Sequence, residues 1–326
     1  MNNLSKETNK ILEIIKQYGH IRAVDIVQKA KVSTKTTYKH LARLLDEDLI
    51  KKTGTTPKVF YSVKKEEEKF FASMDADEQL IEQNYIYVSP SGEMLRGIVG
   101  FYEWCRKNNF SKEKEKKYFV KSFKLTRKLK KDGLISAKKS ILSGKNDLYL
   151  DDIFFSDFYT FDHFGKTKLG QLVYLGKSSQ NRKLIAEIAG MIKPAIENVI
   201  KKYDIKLICF IPPTIERKVQ FMDVLKNKLK INLGEIKAIK ISTDTKVPQK
   251  TLRKLEDRII NARETITVSP NQKINSNILI IDDATGSGAT LNETAKKIRN
   301  ISEKKIKIIG YSVVGSYKGF DVISEV

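Results

Sequence analysis

Apolar positions near the start of the chain recur at helical spacing. A first helix would carry Ile11 and Ile15 on one side, with Ser5 as its cap. Residues 23–30 predict a second, shorter helix, and Ser33 is a good cap for a third. This pattern predicts a small unit of three helices.

The third helix is predicted to have two chemically different sides. Its apolar side would consist of Tyr38, Leu41, Leu44 and Leu45. Its other side carries residue types that contact phosphates and base edges in nucleic acids: Lys35, Thr36, Thr37, Lys39, His40 and Arg43. Two strands are predicted next, at 49–52 and 59–63, joined by a turn that contains Lys58.

The middle of the chain is predicted to be a mostly helical, basic connector. A strand at 85–88 and a helix at 93–107 precede a lysine-rich stretch at 112–139 with interleaved aromatic residues. Its lysine face is either the solvated side of a connector helix or a second contact with a polyanion. The predicted domains are therefore 1–64, 65–150 and 151–326.

Continuous apolar runs in the last third of the chain predict strands covered on both faces of a sheet. They occur at 205–211, 237–241 and 278–281, and amphipathic or charged helical segments separate them. Alternation of such strands with helices predicts an α/β fold with a parallel sheet and flanking helices. Ligands of such sheets bind just beyond the carboxyl ends of the strands.

The run at 278–281 leads directly into Asp282 and Asp283, a small-residue loop and a helix that starts near Thr290. Gly286 and Gly288 would let the backbone approach an anion closely. The positive end of the helix would point at the same place. Carboxylates for ribose hydroxyls and loop amides for phosphate together suit a sugar phosphate.

Two other glycine-rich loops fit these residues less well. A Walker A loop ends in Gly-Lys-Ser/Thr, and no lysine is present here. A dinucleotide-binding fingerprint requires a third glycine where this chain has Leu291. The plain alternative is an ordinary strand–turn–helix junction in which Asp283 or Thr285 caps the helix.

The segment from Ile280 to Thr290 resembles the phosphoribosyl pyrophosphate (PRPP) signature of type I phosphoribosyltransferases. The resemblance implies that two acids hold the ribose hydroxyls and that the following loop binds the 5′-phosphate. The residues that would contact PRPP are Asp282, Asp283, Ala284, Thr285, Gly286, Ser287, Gly288, Ala289 and Thr290. The family commonly has Thr-Thr-Gly where this chain has Gly-Ser-Gly, a mild departure.

Three shorter pieces resemble the ComF branch of the same family. They are Leu172 to Lys177, Arg217 to Phe221, and Gln249 with Leu252, Arg258 and Asn261. The zinc-binding cysteines of ComF proteins are absent, because the chain contains only Cys105 and Cys209. A role in DNA uptake therefore does not follow from the resemblance.

The family chemistry implies a cationic transition state from which pyrophosphate leaves. Arg217 and Lys218, in a basic loop after a predicted strand, would neutralise the pyrophosphate and act as catalytic residues beside Asp282 and Asp283. Mg²⁺ would bind through PRPP oxygens, with no direct protein ligand. A segment with Arg253, Lys254 and Arg258 could close over the site.

His163 is interpreted as a surface histidine without an acidic partner. The Phe- and Tyr-rich stretch at 151–164 is interpreted either as a hood that selects the acceptor or as packing at the domain boundary.

The amino-terminal helices and hairpin resemble the winged helix-turn-helix of bacterial and archaeal regulators. The resemblance implies that the third helix enters the major groove of DNA and that Lys58 contacts the backbone. The alternative is a small helical scaffold that serves dimerisation or protein contact.

Composition adds a polyanion partner to this picture. The chain has 326 residues and a formal net charge of +22, as expected for a protein that binds nucleic acid. The excess is mostly lysine, which an AT-rich genome also produces. Two distant cysteines and the lack of a long apolar run or signal-peptide core predict a protein of the reducing cytoplasm, without a membrane partner.

These patterns leave three functional hypotheses. The favoured one is a PRPP-dependent transferase, acting on a base or related acceptor, that a DNA-binding module localises. The second is a non-catalytic, PRPP-sensing regulator, a layout that bacterial purine repressors resemble. The third is an effector of an anti-phage system such as a retron. A homodimer is expected by analogy with proteins that carry either module.

Overall fold

The computed structural model describes residues 4–19, 21–55, 58–63, 74–138, 147–241, 254–269 and 274–316. The chain forms two compact units, Met1–Asp75 and Ala76–Val326. Within the described residues, no helix combines the length and the apolar character needed to cross a bilayer.

The first unit contains three helices and one antiparallel sheet. The helices are α1 (Lys6–Tyr18), α2 (Ala23–Ala30) and α3 (Thr34–Asp46), and the strands are β1 (Ile21–Arg22), β2 (Ile50–Thr55) and β3 (Lys58–Val63). The strand order is β1-β3-β2. The predicted caps are confirmed, because the hydroxyl of Ser5 accepts from the amide of Thr8 and that of Ser33 from the amide of Thr36. The short strand β1 was not predicted.

The second unit begins with helices and short hairpins. These elements are α4 (Ala76–Asn84), β4 (Ile86–Val88), β5 (Met94–Arg96), α5 (Gly97–Lys107), α6 (Lys112–Arg127), β6 (Lys130–Lys131) and β7 (Leu134–Ser136). The β6–β7 hairpin joins the main sheet of this unit. Residues 76–138, predicted as a connector, therefore lie in the same compact unit as the rest of the α/β fold.

The remaining elements build the main sheet and cover it. They are β8 (Asp152–Phe158), α7 (Lys168–Ser178), α8 (Arg182–Lys202), β9 (Leu207–Phe210), α9 (Phe221–Leu229), β10 (Gly234–Glu235), β11 (Ala238–Lys240), α10 (Leu255–Thr265), β12 (Ile266–Val268), β13 (Ile278–Thr285), α11 (Ala289–Asn300) and β14 (Ile308–Gly315). The main sheet has the order β10-β9-β13-β14-β8-β7-β6 and is parallel from β10 to β8. This mixed α/β architecture fits the predicted fold class.

Alternate residues of the central strands face two separate cores. Leu279 and Ile281 pack with helices α7, α8 and α9, whereas Ile278 and Ile280 pack with α11. The period-2 alternation of a strand explains this division. The parallel strand is therefore buried on both faces, as its continuous apolar run predicted.

Two stretches differ from the sequence-based expectation. Residues 151–164 include the core strand β8, which pairs in parallel with β14, so half of this stretch is part of the sheet. Ile239 and its neighbours form β11, as predicted, but within the described residues β11 pairs with β12 alone, in a separate two-stranded sheet. The β11–β12 sheet and α10 together form a flap.

Candidate functional site

The chain connections after β9 and after β13 run in opposite directions along the sheet. The chain leaves β9 through α9 towards β10 on one side, and it leaves β13 through α11 towards β14 on the other. The two helices pack on opposite faces of the sheet. A crevice opens at such a switch point, beyond the carboxyl ends of the strands.

The crevice begins where β9 stops and β13 continues. The last paired residues are Ile281 and Phe210, and the amide of Ile211 still donates to the carbonyl of Ile281 at 2.9 Å. Pro212 and Pro213 follow, and proline has no amide hydrogen to extend the ladder. Strand β13 runs on to Thr285, so both aspartates lie within the strand rather than in the loop after it.

The crevice has a volume of about 240 Å³ and gathers residues from distant segments. It is lined by Asp282 to Leu291 from β13 and α11, and by Arg217 from the loop after β9. Lys177, Lys240 and Arg258 complete its cationic wall. Lys218 is exposed and is not among the lining residues, and Arg253 lies outside the described residues.

The two carboxylates differ in their contacts. Asp283 forms an ion pair with Lys177 at 2.8 Å. Asp282 accepts a hydrogen bond of 2.8 Å from the backbone amide of Asp283. Burial, followed by the negative charge of Asp283, raises the pKa of Asp282 to about 7. The site therefore holds one paired carboxylate and one that binds its proton unusually well.

Lys240 approaches the acids from the flap. Burial lowers the pKa of this lysine, and the charge of Asp282 partly offsets that effect. The flap is fixed to α11 by the guanidinium of Arg263, whose Nε lies 3.3 Å from Oε2 of Glu293. The ammonium of Lys297 also donates to the carbonyl oxygens of Arg263 and Ile266. These contacts hold the flap against α11, and the flap thereby places Lys240 and Arg258 at the crevice.

The loop between β13 and α11 leaves a helix N-terminus facing the crevice. Gly288 is the N-cap residue, with a φ of 70°, and it has no side chain that could cap the helix. The hydroxyl of Ser287 accepts a long bond, of 3.4 Å, from the amide of Ala289. The helix therefore begins without the aspartate or threonine cap of an ordinary strand–turn–helix junction, and Thr285 instead bonds the hydroxyl of Ser312 on β14. Amides at such an end are ready donors for an anion.

The comparisons with known proteins agree with this geometry. Residues 166–326 match the PRTase-CE family model. The match supports a phosphoribosyltransferase-type domain over this part of the chain and includes every residue that lines the crevice. Strand β8 and the elements before it precede the PRTase-CE match. No curated protein matches the chain.

Sequence reasoning missed two cations of the PRTase-CE region. Lys177 ends the Leu172–Lys177 piece that resembles ComF proteins, so a signal for it existed. Lys240 lies in a short apolar strand and reaches the site only because the flap folds back onto α11. Arg258 was assigned to a closing segment, and it is buried at the crevice.

In the first unit, α3 buries Leu41 and Leu44 as predicted, but Thr37 and Tyr38 are exchanged relative to the prediction. Thr37 is fully buried, so it faces the core and cannot contact a nucleic acid as predicted. Tyr38, predicted to be in the core, is 49% exposed. Neighbouring helical positions are about 100° apart, so the two residues lie on different sides of the helix.

Of the other predicted contact residues, some are exposed and some are bonded within the first unit. Lys35, Lys39 and Arg43 are exposed, and Arg43 also pairs with Glu47 at 2.8 Å. Thr36 bonds the hydroxyl of its cap residue. His40 is partly buried, and its Nδ1 lies 2.9 Å from the hydroxyl of Thr8 on α1. Lys58 starts β3, but its side chain lies outside the described residues.

His163 has the acidic neighbour that sequence reasoning did not find. Its Nε2 lies 2.7 Å from Oε2 of Glu115 on α6. The two residues are far apart in sequence, and the ring also packs against Trp104 and Phe164. The cluster is remote in sequence from the crevice, and it shares no residue with it.

Proposed function

We propose that the α/β domain binds PRPP in the crevice and transfers its phosphoribosyl group to a base or related acceptor. The observation that supports this most strongly is the composition of the crevice. Two adjacent carboxylates, a helix start whose N-cap residue is glycine and four cations from separate segments meet at the switch point of a parallel sheet. Each part of PRPP has a chemically matched partner among them.

The aspartates are matched to the ribose. Asp283 and the ionised form of Asp282 would accept hydrogen bonds from the two ring hydroxyls, because ionised carboxylates are acceptors only. The 5′-phosphate would lie against the amides and hydroxyls of Thr285 to Thr290, at the positive end of α11. The predicted contacts of Ala284, Gly286 and Ala289 are through their backbone.

The cations are matched to the pyrophosphate. Lys177, Arg217, Lys240 and Arg258 line the crevice together and would neutralise the charge that develops on the leaving group. Mg²⁺, when bound through PRPP oxygens, would supply further charge neutralisation. The aspartates would favour positive charge at the reacting carbon. Catalysis then consists of positioning and electrostatic stabilisation, without a nucleophilic side chain.

For the first unit we propose nucleic-acid binding by a winged helix-turn-helix. The exposed row of Lys35, Lys39 and Arg43 on α3 supports this proposal, together with three helices and a three-stranded antiparallel sheet. If the transferase domain has lost turnover, the same layout describes a PRPP-sensing regulator.

One experiment distinguishes the two functions. The full chain is incubated with PRPP, Mg²⁺ and a panel of bases, and pyrophosphate release is measured beside the Asp282→Asn, Asp283→Asn double variant. Release by the wild type alone supports the transferase and rules out a pure sensor. No release, together with PRPP-dependent binding to DNA, supports the regulator. Failure of the wild type to bind PRPP at all would refute both.

A further inference from the structure

The second unit contains another cavity that the proposed transfer reaction does not use. It has a volume of about 480 Å³, within the range of small-molecule sites. Helix α6, the β6–β7 hairpin, the end of β8, the start of α7 and the side of α8 enclose it. We call it the second cavity, and it shares no lining residue with the crevice.

The second cavity opens at the same edge of the sheet as the crevice. Strands β13, β14 and β8 are neighbours and run in parallel, so their carboxyl ends lie together. Two strand spacings separate the end of β8 from the end of β13, which is roughly 10 Å. The second cavity is therefore near the crevice but separate from it.

Cationic side chains dominate its polar lining. Lys130, Lys166, Lys168 and Arg127 line the cavity, with Asp157 and Asp132 as the only acids among the described lining residues. Lys130 is paired with Asp157 at 2.8 Å. Asp132 is exposed. A positive excess therefore remains on the side formed by the start of α7.

Lys166 and Lys168 supply that excess. Lys166 lies over the rings of Tyr174 and Tyr159, at 4.5 and 5.5 Å from their centroids, and has no carboxylate partner among the described residues. Lys168 donates to the carbonyl oxygen of Gln83 at 2.8 Å. Burial lowers the pKa of both lysines. An incoming anion would offset that cost of burying an ammonium group.

Part of the lining of the second cavity is aromatic. Phe119, Phe123 and Phe161 line it, and the rings of Phe119 and Phe123 are nearly parallel, with centroids 5.9 Å apart. Faces and edges of such rings contact a planar heterocycle favourably. Asn84 and Asn198 also line the cavity, and an amide side chain can both donate and accept hydrogen bonds. The amide nitrogen of Asn84 already donates to the carbonyl oxygen of Leu80 at 2.8 Å, which leaves its second hydrogen and its oxygen for a ligand. A nucleobase could therefore contact the phenylalanine rings and form hydrogen bonds along its polar edge.

From these features we infer that the second cavity is a binding site for a nucleoside monophosphate. The base would lie against the phenylalanines, and the phosphate would lie beside Lys166 and Lys168. This inference depends only on the residues of the second cavity and not on phosphoribosyl transfer in the crevice.

Titration calorimetry of the full chain with a panel of nucleoside monophosphates tests the inference. At least one nucleotide should bind, and Lys166→Gln with Lys168→Gln should weaken it by about tenfold or more, because two charge-assisted contacts are lost. Arg127→Gln changes an exposed residue at the rim, does not threaten folding, and should weaken binding by a few-fold. Lys166→Arg with Lys168→Arg should retain it.

Two comparisons keep the second cavity distinct from the crevice. The Asp282→Asn, Asp283→Asn variant should retain the nucleotide binding that the Lys166→Gln, Lys168→Gln variant loses, and the exposed control Lys121→Gln should bind the nucleotide as the wild type does. In the Asp282→Asn, Asp283→Asn variant, ribose 5-phosphate, which lacks the base, should bind at least about tenfold more weakly than the nucleotide. The inference is overturned if no nucleotide binds, if the aspartate variant loses binding while the lysine variant keeps it, or if ribose 5-phosphate binds equally well.

Discussion

The ammonium of Lys177 lies 2.8 Å from Oδ2 of Asp283 and joins the last turn of α7 to the end of β13. The side chains of the two residues are only 16% and 21% exposed. Solvent therefore screens the pair less than a surface pair. Lys177 also fixes the orientation of one carboxylate in the crevice before any ligand arrives.

Replacement of Lys177 should weaken PRPP binding more than it weakens the fold. Lys177→Gln removes a cation from the crevice and should lower the affinity for Mg²⁺ and PRPP by about tenfold. Lys177→Arg should retain most of the affinity. Calorimetry measures both, with the exposed Lys183→Gln as the control. An unchanged affinity in Lys177→Gln would contradict the assignment.

The raised pKa of Asp282 predicts a pH-dependent stability. The folded state holds this proton in a range where the unfolded chain has released it, so the stability contributed by Asp282 falls as the pH rises from about 4 to about 7. Asp282→Asn removes this titration. The free energy of unfolding of the variant relative to the wild type should therefore increase with pH across that window.

Denaturant titrations at several pH values measure this difference. Asp223→Asn, which changes an exposed carboxylate at the start of α9, is the matched control. A relative stability of Asp282→Asn that stays constant or decreases with pH would show that Asp282 titrates normally.

The left-handed conformation of Gly288 predicts a glycine-specific effect. Alanine at a φ of 70° should cost about 1–2 kcal/mol of stability, and it should also weaken PRPP binding at the start of α11. Gly190, inside α8, is the opposite case, because no atom lies within 4 Å of the position that a β-carbon would occupy there. Gly190→Ala should stabilise the protein by roughly 0.5–1 kcal/mol. Chemical denaturation and calorimetry separate the two outcomes.

The exposed lysines of α3 predict salt-dependent binding to nucleic acid. Lys35→Ala with Lys39→Ala should lower the affinity for DNA and reduce the slope of log affinity against log salt by about one unit for each lost phosphate contact. Fluorescence anisotropy over a range of salt concentrations measures the slope. The same slope in both proteins would instead favour a protein-contact role for the first unit.

Thr37 supplies the complementary test. Its side chain is fully buried, and its hydroxyl has no hydrogen-bond partner among the described residues. Thr37→Val keeps the shape of the side chain and removes a buried polar group, so stability should be unchanged or higher. DNA affinity should stay the same. A loss of DNA binding without a loss of stability would show that Thr37 contacts DNA after all.

Local patterns predicted the elements best. The apolar run before Asp282 and the small residues after it are contiguous, so the strand, the loop and the helix start could be read directly. The caps Ser5 and Ser33 are likewise local signals. Strand β8 was missed because Asp152, Ser156 and Asp157 interrupt its apolar positions, although most of the strand is buried.

Contacts between distant segments could not be predicted in the same way. Lys177 and Lys240 enter the crevice because α7 and the flap fold onto β13 and α11. No spacing of residues along the sequence predicts these contacts between distant segments. The pairing of His163 with Glu115 has the same origin. The exchange of Thr37 and Tyr38 is different, because Thr37 lies four positions before the buried Leu41, and residue type alone placed the tyrosine inside and the threonine outside.

The divergence of the chain after β9 and β13 has a consequence for how this protein could change. The crevice between those strands results from the direction of the backbone connections, so substitutions of its lining residues would leave the crevice in place. Descendants or engineered variants could therefore accept a new ligand by changing a few wall residues, while the strands beneath them remain as they are.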